Sequence, residues 1–204
     1  MSETNDKFKA DEVATILALG MIPGMGNTRV NRLLKFIQQR GWDMTVLRAI
    51  REKACLRQFV MWDATIAGLL GQCSDEVFEE GEKQVEYTWR QGLGMAHIME
   101  ESYPRTLKHF LGESAPPILF TRGNPTLLHK TAGAVVGTRS PSKRGVKAAQ
   151  QAALAITRKA KVLVSGGAAG VDYAGHDAVI RAGGNTVVML PQGIVSWSCP
   201  KHWE

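Results

Sequence analysis

Cysteine is scarce and unpatterned in this chain of 204 residues. Cys55, Cys73 and Cys199 are odd in number, far apart and outside any CxxC spacing. That argues against a disulfide framework and a cysteine-built zinc site, and leaves reduced, buried thiols as the expectation. Long hydrophobic runs are missing as well. None approaches the ~18 residues that a membrane span needs. The opening MSETNDKFKA is polar and mixed in charge. It lacks the apolar stretch of a secretory signal and the Arg-rich character of a transit peptide, so a cytoplasmic location is expected. No GxxxxGK[ST] occurs, which excludes a P-loop. The dinucleotide fingerprint is broken: Ser165 stands beside Gly167 and Gly170 where three glycines are wanted, and no acid follows near 185–192. Acidic residues are nearly absent from the last third. Residues 134–204 hold three Asp+Glu against nine Lys+Arg, whereas residues 1–133 hold 16 of each. The whole net charge of +6 therefore lies in the final 71 residues. One-sided charge of this kind attracts and steers polyanions.

What is present is ordinary globular material, 44% hydrophobic and 22% charged, enough for one large domain or two small ones. Residues 11–92 read as four to five short helices and no strand. Val13, Ile16, Leu17 and Leu19 make one apolar face. Pro23-Gly24-Met25-Gly26 breaks the chain. Asn27 or Thr28 can cap a second helix with Val30, Leu33, Leu34 and Ile37 on one stripe, ended by Gly41. Further helices are expected around Met44–Lys53 and Gln58–Leu70, and another opens at Ser74-Asp75-Glu76-Val77, with acids in its first turn. After Gly92 the pattern changes. Ala96–Met99 and Ile118–Phe120 read as short strands, separated by a linker-like stretch punctuated by Tyr103-Pro104 and Pro116-Pro117. The expected domains are therefore 1–92 and 93–204.

From Ala134 a strand–loop–helix rhythm begins. Strands are expected at 134–136, 162–164 and 186–190, and helices at 145–160 and 172–182. This alternation implies an α/β unit with a parallel sheet covered on both faces. Right-handed crossovers bring the loops GTRSPSKRG and SGGAAG to one carboxyl edge of that sheet. Each leads into a helix whose free N–H groups attract anions, and glycine lets a phosphate approach the backbone. Gly137, Thr138, Arg139, Ser140, Lys143 and Arg144 come from the first loop. Ser165, Gly166, Gly167 and Gly170 come from the second. Turn geometry alone is the competing account of the glycines. Asp172 and His176, at i and i+4, are either an acid–base pair or structural supports, Asp172 bracing loop amides and His176 packing as a satisfied polar residue. Near the amino terminus, IPGMG followed by a helix offers backbone amides to a phosphate, flanked by Arg29 and Arg32.

The run VVGTRSPSKRG…KVLVSGGAAGVDYAGHDAVIRAGGNTVVMLPQGI resembles the core of the DNA-processing protein A (DprA/Smf) family. Tyr103-Pro104-x-x-Leu107 and Pro117-Ile118-Leu119-Phe120-x-Arg122-Gly123-Asn124 resemble the approach to that core. The IPGMG helices resemble the family's amino-terminal domain, of helix-hairpin-helix or SAM-like type. The resemblance implies a helical domain followed by a Rossmann-like domain. It also implies single-stranded DNA binding in DNA uptake and recombination, loading of a RecA-type recombinase, dimerisation, and no catalytic activity, cofactor or metal. The pocket it implies is built from the Gly137–Arg139 and Ser165–Gly170 loops. The sequence departs from the pattern at Gly167 and Gly175. Cys199-Pro200 stands where a Tyr-Pro pair is expected, and the family's sheet continues through further strands, so a C-terminally short member is expected. Two other readings stay open. One is a Rossmann-like nucleotide sensor or phosphoribohydrolase, although S-G-G-A-A-G-V-D lacks the Thr and Glu of the hydrolase loop. The other is a protein-interaction module built on the helical half.

Overall fold

The computed structural model describes residues 3–47, 53–159 and 161–203. The chain divides into two compact units, Met1–Arg122 and Gly123–Glu204.

The first unit holds helices α1 (Glu3–Met21), α2 (Asn27–Gln39), α3 (Lys53–Trp62), α4 (Ala64–Leu70), α5 (Asp75–Arg90) and α6 (Arg105–Leu111). Val13, Ile16 and Leu19 are buried, and Leu17 partly so, as their periodicity predicts. The α1–α5 contact is close because α5 carries Gly81. A Cβ there would lie 2.3 Å from the Ala14 carbonyl oxygen, so only glycine lets the two backbones approach this far. Helix α2 begins on Gly26, and no side chain caps it. Asn27 and Thr28, the expected caps, instead lie inside its first turn. The span expected to be one helix from Gln58 to Leu70 breaks at Asp63, whose carboxylate accepts from the amides of Thr65 (3.0 Å) and Ile66 (3.1 Å). Asp63 thereby starts a new helix rather than continuing the old one. Of the helix expected over Met44–Lys53, Met44–Leu47 is a 3-10 turn, and residues 48–52 lie outside the described residues.

Strands β1 (Gly94–His97) and β2 (Ile118–Thr121) pair antiparallel and belong to this first unit. The change of pattern at Gly92 therefore marks the end of the helical run, while the compact units part at Arg122–Gly123. The stretch between the strands is packed rather than linker-like. Pro104 stands at the amino end of α6, and Tyr103 is buried with its hydroxyl donating to the Pro116 carbonyl at 2.8 Å. Burial pushes that phenol up to about 12. Prolines read as loop punctuation, but here they open a helix and supply an acceptor.

The second unit holds β3 (Ala132–Ala134), α7 (Lys143–Thr157), β4 (Val162–Gly166), α8 (Val171–Arg181) and β5 (Thr186–Met189). The three strands are parallel, in the order β3-β4-β5. Helices α7 and α8 pack against each other as well as on the sheet, so both lie on one face. The expectation of cover on both faces is thus corrected. Strands laid down in sequential order with crossovers of one hand keep every crossover helix on the same side. Leu163, Ala153 and Val179 form the core beneath them, with Val135 and Ile156 packed alongside. Val136, next to inward-facing Val135, is 73% exposed. Cys73 and Cys199 are half-buried rather than buried; the side chain of Cys55 lies outside the described residues. Among the described residues no helix is long and apolar enough to cross a membrane.

Candidate functional site

Both glycine loops lie at the carboxyl edge of the three-stranded sheet, and they touch. Val171 N–H donates to the Thr138 carbonyl at 3.1 Å. Gly170 has φ +87°, and a Cβ there would fall 2.4 Å from that same oxygen. A Cβ on Gly137 would meet the Val171 side chain at 2.9 Å. These glycines are required by loop-to-loop contact, with protein rather than open space at the missing Cβ.

The two loops divide the expected site residues unequally. In the first, Gly137, Thr138, Arg139, Ser140, Lys143 and Arg144 are all exposed. The Thr138 hydroxyl accepts from the Ser140 amide at 3.2 Å, which shapes the turn. Ser142 caps α7 by accepting from Gly145 N–H at 3.2 Å. Arg139, Lys143 and Arg144 make no ion pair among the described residues. The second loop is turned into the protein. Ser165 is buried, and its hydroxyl donates to the Val135 carbonyl. Gly166 and Gly167 are half-buried. A Cβ on Gly166 would lie 2.6 Å from an Asp172 carboxylate oxygen, and one on Gly167 would lie 2.6 Å from Leu190 Cδ2.

Asp172 and His176 are both buried. Asp172 lies in the first turn of α8, and its carboxylate packs on Gly166. His176 has Nε2 3.0 Å from the Gly166 carbonyl and Nδ1 2.6 Å from Thr186 Oγ1. A carbonyl can only accept, so Nε2 carries the proton. Burial holds the ring below the usual histidine value, although Gly166 and Asp172 pull the other way. The ring is then neutral and Nδ1 can only accept, so the Thr186 hydroxyl turns its one proton toward Nδ1 at 2.6 Å rather than toward the Leu163 carbonyl at 3.2 Å. His176 thus joins α8 to the ends of β4 and β5, with both nitrogens occupied.

At the amino-terminal hairpin, both flanking cations are exposed and each has a protein partner. The Arg29 guanidinium donates to the Gly24 carbonyl. Arg32 pairs with Asp63 at 3.0 Å and lies over the Trp62 ring.

Three aromatic residues at the rim escaped the sequence reading. Tyr173 stacks on Trp203, with centroids 5.1 Å apart and planes 25° apart, and Trp197 lies 6.4 Å from Trp203. The available signal was position: two of the five tryptophans fall in the last eight residues.

The model of the family described as DNA recombination-mediator protein A matches residues 94–203. The chain belongs to this family. It is 36% identical over 104 residues to the DNA processing protein DprA of Bacillus subtilis, which is 50% of this chain and 34% of that one. With the DprA of Streptococcus pneumoniae it shares 36% identity over 97 residues, 48% of this chain and 33% of that one. It also resembles the X-ray structure of DNA processing protein A from Streptococcus pneumoniae, with a TM-score of 0.62 at 25% identity, covering 98% of this chain and 62% of that one. Its curated DprA relatives are matched over about a third of their length. The family match takes in both rim loops and the terminal aromatic residues.

Proposed function

We propose that the carboxyl rim of the β3-β4-β5 sheet holds the phosphates of single-stranded DNA without cleaving it, as a DNA-processing protein acting in DNA uptake and recombination. The observation that carries this reading is the placement of Lys143 and Arg144 in the first turn of α7. A helix amino end already bears partial positive charge, so two cations there repel it in the free protein, and a bound anion reverses the sign of that interaction. Arg139 adds a third exposed cation in the loop that leads into α7. The unit Gly123–Glu204 carries ten Lys+Arg against three Asp+Glu, which suits a polyanion.

Contacts of this kind go to the backbone and carry no sequence preference. A RecA-type recombinase is the partner that a recombination mediator would serve, and self-association into a dimer is part of the same reading. The buried, neutral His176 suits a brace better than a proton carrier, in keeping with a binding rather than a catalytic role.

Fluorescence anisotropy with labelled oligo-dT at several salt concentrations tests the reading. If roughly four phosphates are neutralised, log affinity falls with log salt at a slope of about −3, and Arg139→Ala reduces the slope by about 0.7 while weakening all sequences alike. Binding that ignores salt, or an Arg139→Ala protein that binds as the unaltered one does, overturns it.

A further inference from the structure

Tyr173 begins the exposed side of α8. Its amide donates to the Ala168 carbonyl at 3.2 Å, so the residue is fixed to the second rim loop. Its ring stacks on Trp203 yet remains 41% exposed. Trp203 in turn touches His176, with centroids 5.4 Å apart, and Trp197. Trp197 Nε1 lies 3.0 Å from the place of a Cβ on Gly167, which sets this ring against the same loop. None of the three rings belongs to the core of the unit, which is Ala153, Leu163 and Val179.

Polar contacts fix the geometry from outside. His202 Nε2 lies 2.7 Å from Asp177 Oδ1, and Arg181 Nε donates to Asp177 Oδ2 at 2.8 Å. These tie the Lys201–Trp203 turn to α8. Burial raises the Asp177 carboxyl, but hydrogen bonds from Arg181 and His202 outweigh it and hold the group below its ordinary value. The carboxylate therefore stays charged, and the turn stays pinned. Aromatic rings held partly open by such an anchor, beside a loop that itself touches the Arg139 loop, combine with cations as single-strand sites do: cations track phosphates, and rings take base faces regardless of sequence.

We infer that Tyr173, backed by Trp203 and neighboured by Trp197, is a base-stacking platform for the unpaired bases of the strand whose phosphates the rim cations hold. The inference rests on the rim binding proposed above. It adds an attraction to bases that the cations do not supply, and that salt does not screen.

The test compares labelled oligo-dT with an abasic strand of equal length and equal phosphate number, titrated against the full chain. The unaltered protein binds oligo-dT about tenfold more tightly than the abasic strand. Tyr173→Ala removes that advantage, leaves the salt slope unchanged and does not weaken the abasic strand. Tyr173→Phe, which keeps the ring, retains the advantage. Arg139→Ala weakens both strands and lowers the slope. Equal binding of the two strands by the unaltered protein overturns the platform while leaving the phosphate rim standing, and needs no variant to fold. A Tyr173→Ala protein that weakens both strands equally also overturns it. Failure of the unaltered protein to bind either strand removes the rim and the platform together.

Discussion

The arginines around the amino-terminal hairpin and the cations of the rim loop are placed differently. In the first unit, Arg29 donates to the Gly24 carbonyl, Arg32 pairs with Asp63, and Arg40 lies over the Phe36 ring, 4.7 Å from its centroid. In the second unit, Arg139, Lys143 and Arg144 are exposed and make no ion pair among the described residues. The cores differ in the same sense. Among the described residues, twenty-one buried residues form the core of the first unit, including Phe36, Phe59 and Tyr103, whereas three form that of the second. The second keeps a small core beside a basic loop that faces outward. A surface of unpaired like charges lowers stability through self-repulsion and gains when a polyanion arrives. This comparison supports the proposal that places nucleic-acid contact at the sheet rim; the two arginines flanking the helical hairpin each already meet a protein partner.

Stability measurements can break this comparison. The largest expected effect is that of Leu163→Ala. Leu163 is fully buried at the centre of the smaller core, and its loss should cost about 4 kcal/mol. In a unit with so few buried side chains, that should abolish its thermal transition while the helical signal of the first unit persists in circular dichroism. Simultaneous collapse of both units would show that they are not separate in stability. Next comes Gly81→Ala. The added methyl would strike the Ala14 backbone, and overpacking should cost about 3 kcal/mol, read by urea unfolding of the first unit.

A third effect depends on pH. His176 has a folded value below the ordinary histidine value near 6.5. Its neutral form is therefore favoured by folding. The resulting stability is present in full above about pH 6.5 and is lost as pH falls from there through the folded value, because the unfolded chain takes up the proton first. Denaturation of the second unit at pH 7.5 and pH 5.5 should show this loss, and His176→Gln should flatten the dependence. An unchanged pH profile in that variant would assign the titration to another group. The smallest effects are expected at two matched helix caps. Asp63→Ala removes two amide hydrogen bonds and an arginine partner, at about 1.5 kcal/mol. Ser142→Ala removes one hydrogen bond, at about 1 kcal/mol. If the Ser142 change proves the more costly, the first turn of α7 bears more strain from Lys143 and Arg144 than its single cap suggests.

Much of the fold was legible where the signals were local. The stripe Val30, Leu33, Leu34, Ile37, the acids opening α5, and the strand–glycine–helix rhythm expected from Ala134 all appear within a turn or two of their expected places, the first strand two residues early at Ala132–Ala134. The misses share a cause. Asp63 interrupts a stretch whose apolar spacing still looks helical. Tyr103-Pro104 looks like a linker until the partner of the Tyr103 hydroxyl, thirteen residues on at Pro116, is seen. For the site, the exposed loop from Gly137 to Arg144 was readable, because charge and glycine announce it. The inward turn of Ser165 was not, since the oxygen it binds belongs to Val135, thirty residues away just past β3.

Chain-local chemistry was enough to set the helix and strand types, the position of the basic charge and the membership of a family, because periodicity, glycine and charge act over a few residues or none. Tertiary structure alone decided that α7 and α8 share one face of the sheet, that Gly170 and Gly81 admit a neighbouring backbone, and that Tyr173 meets Trp203. Each of these depends on which remote segments are brought within a few ångströms of each other, and packing determines that only when the whole unit closes around its core.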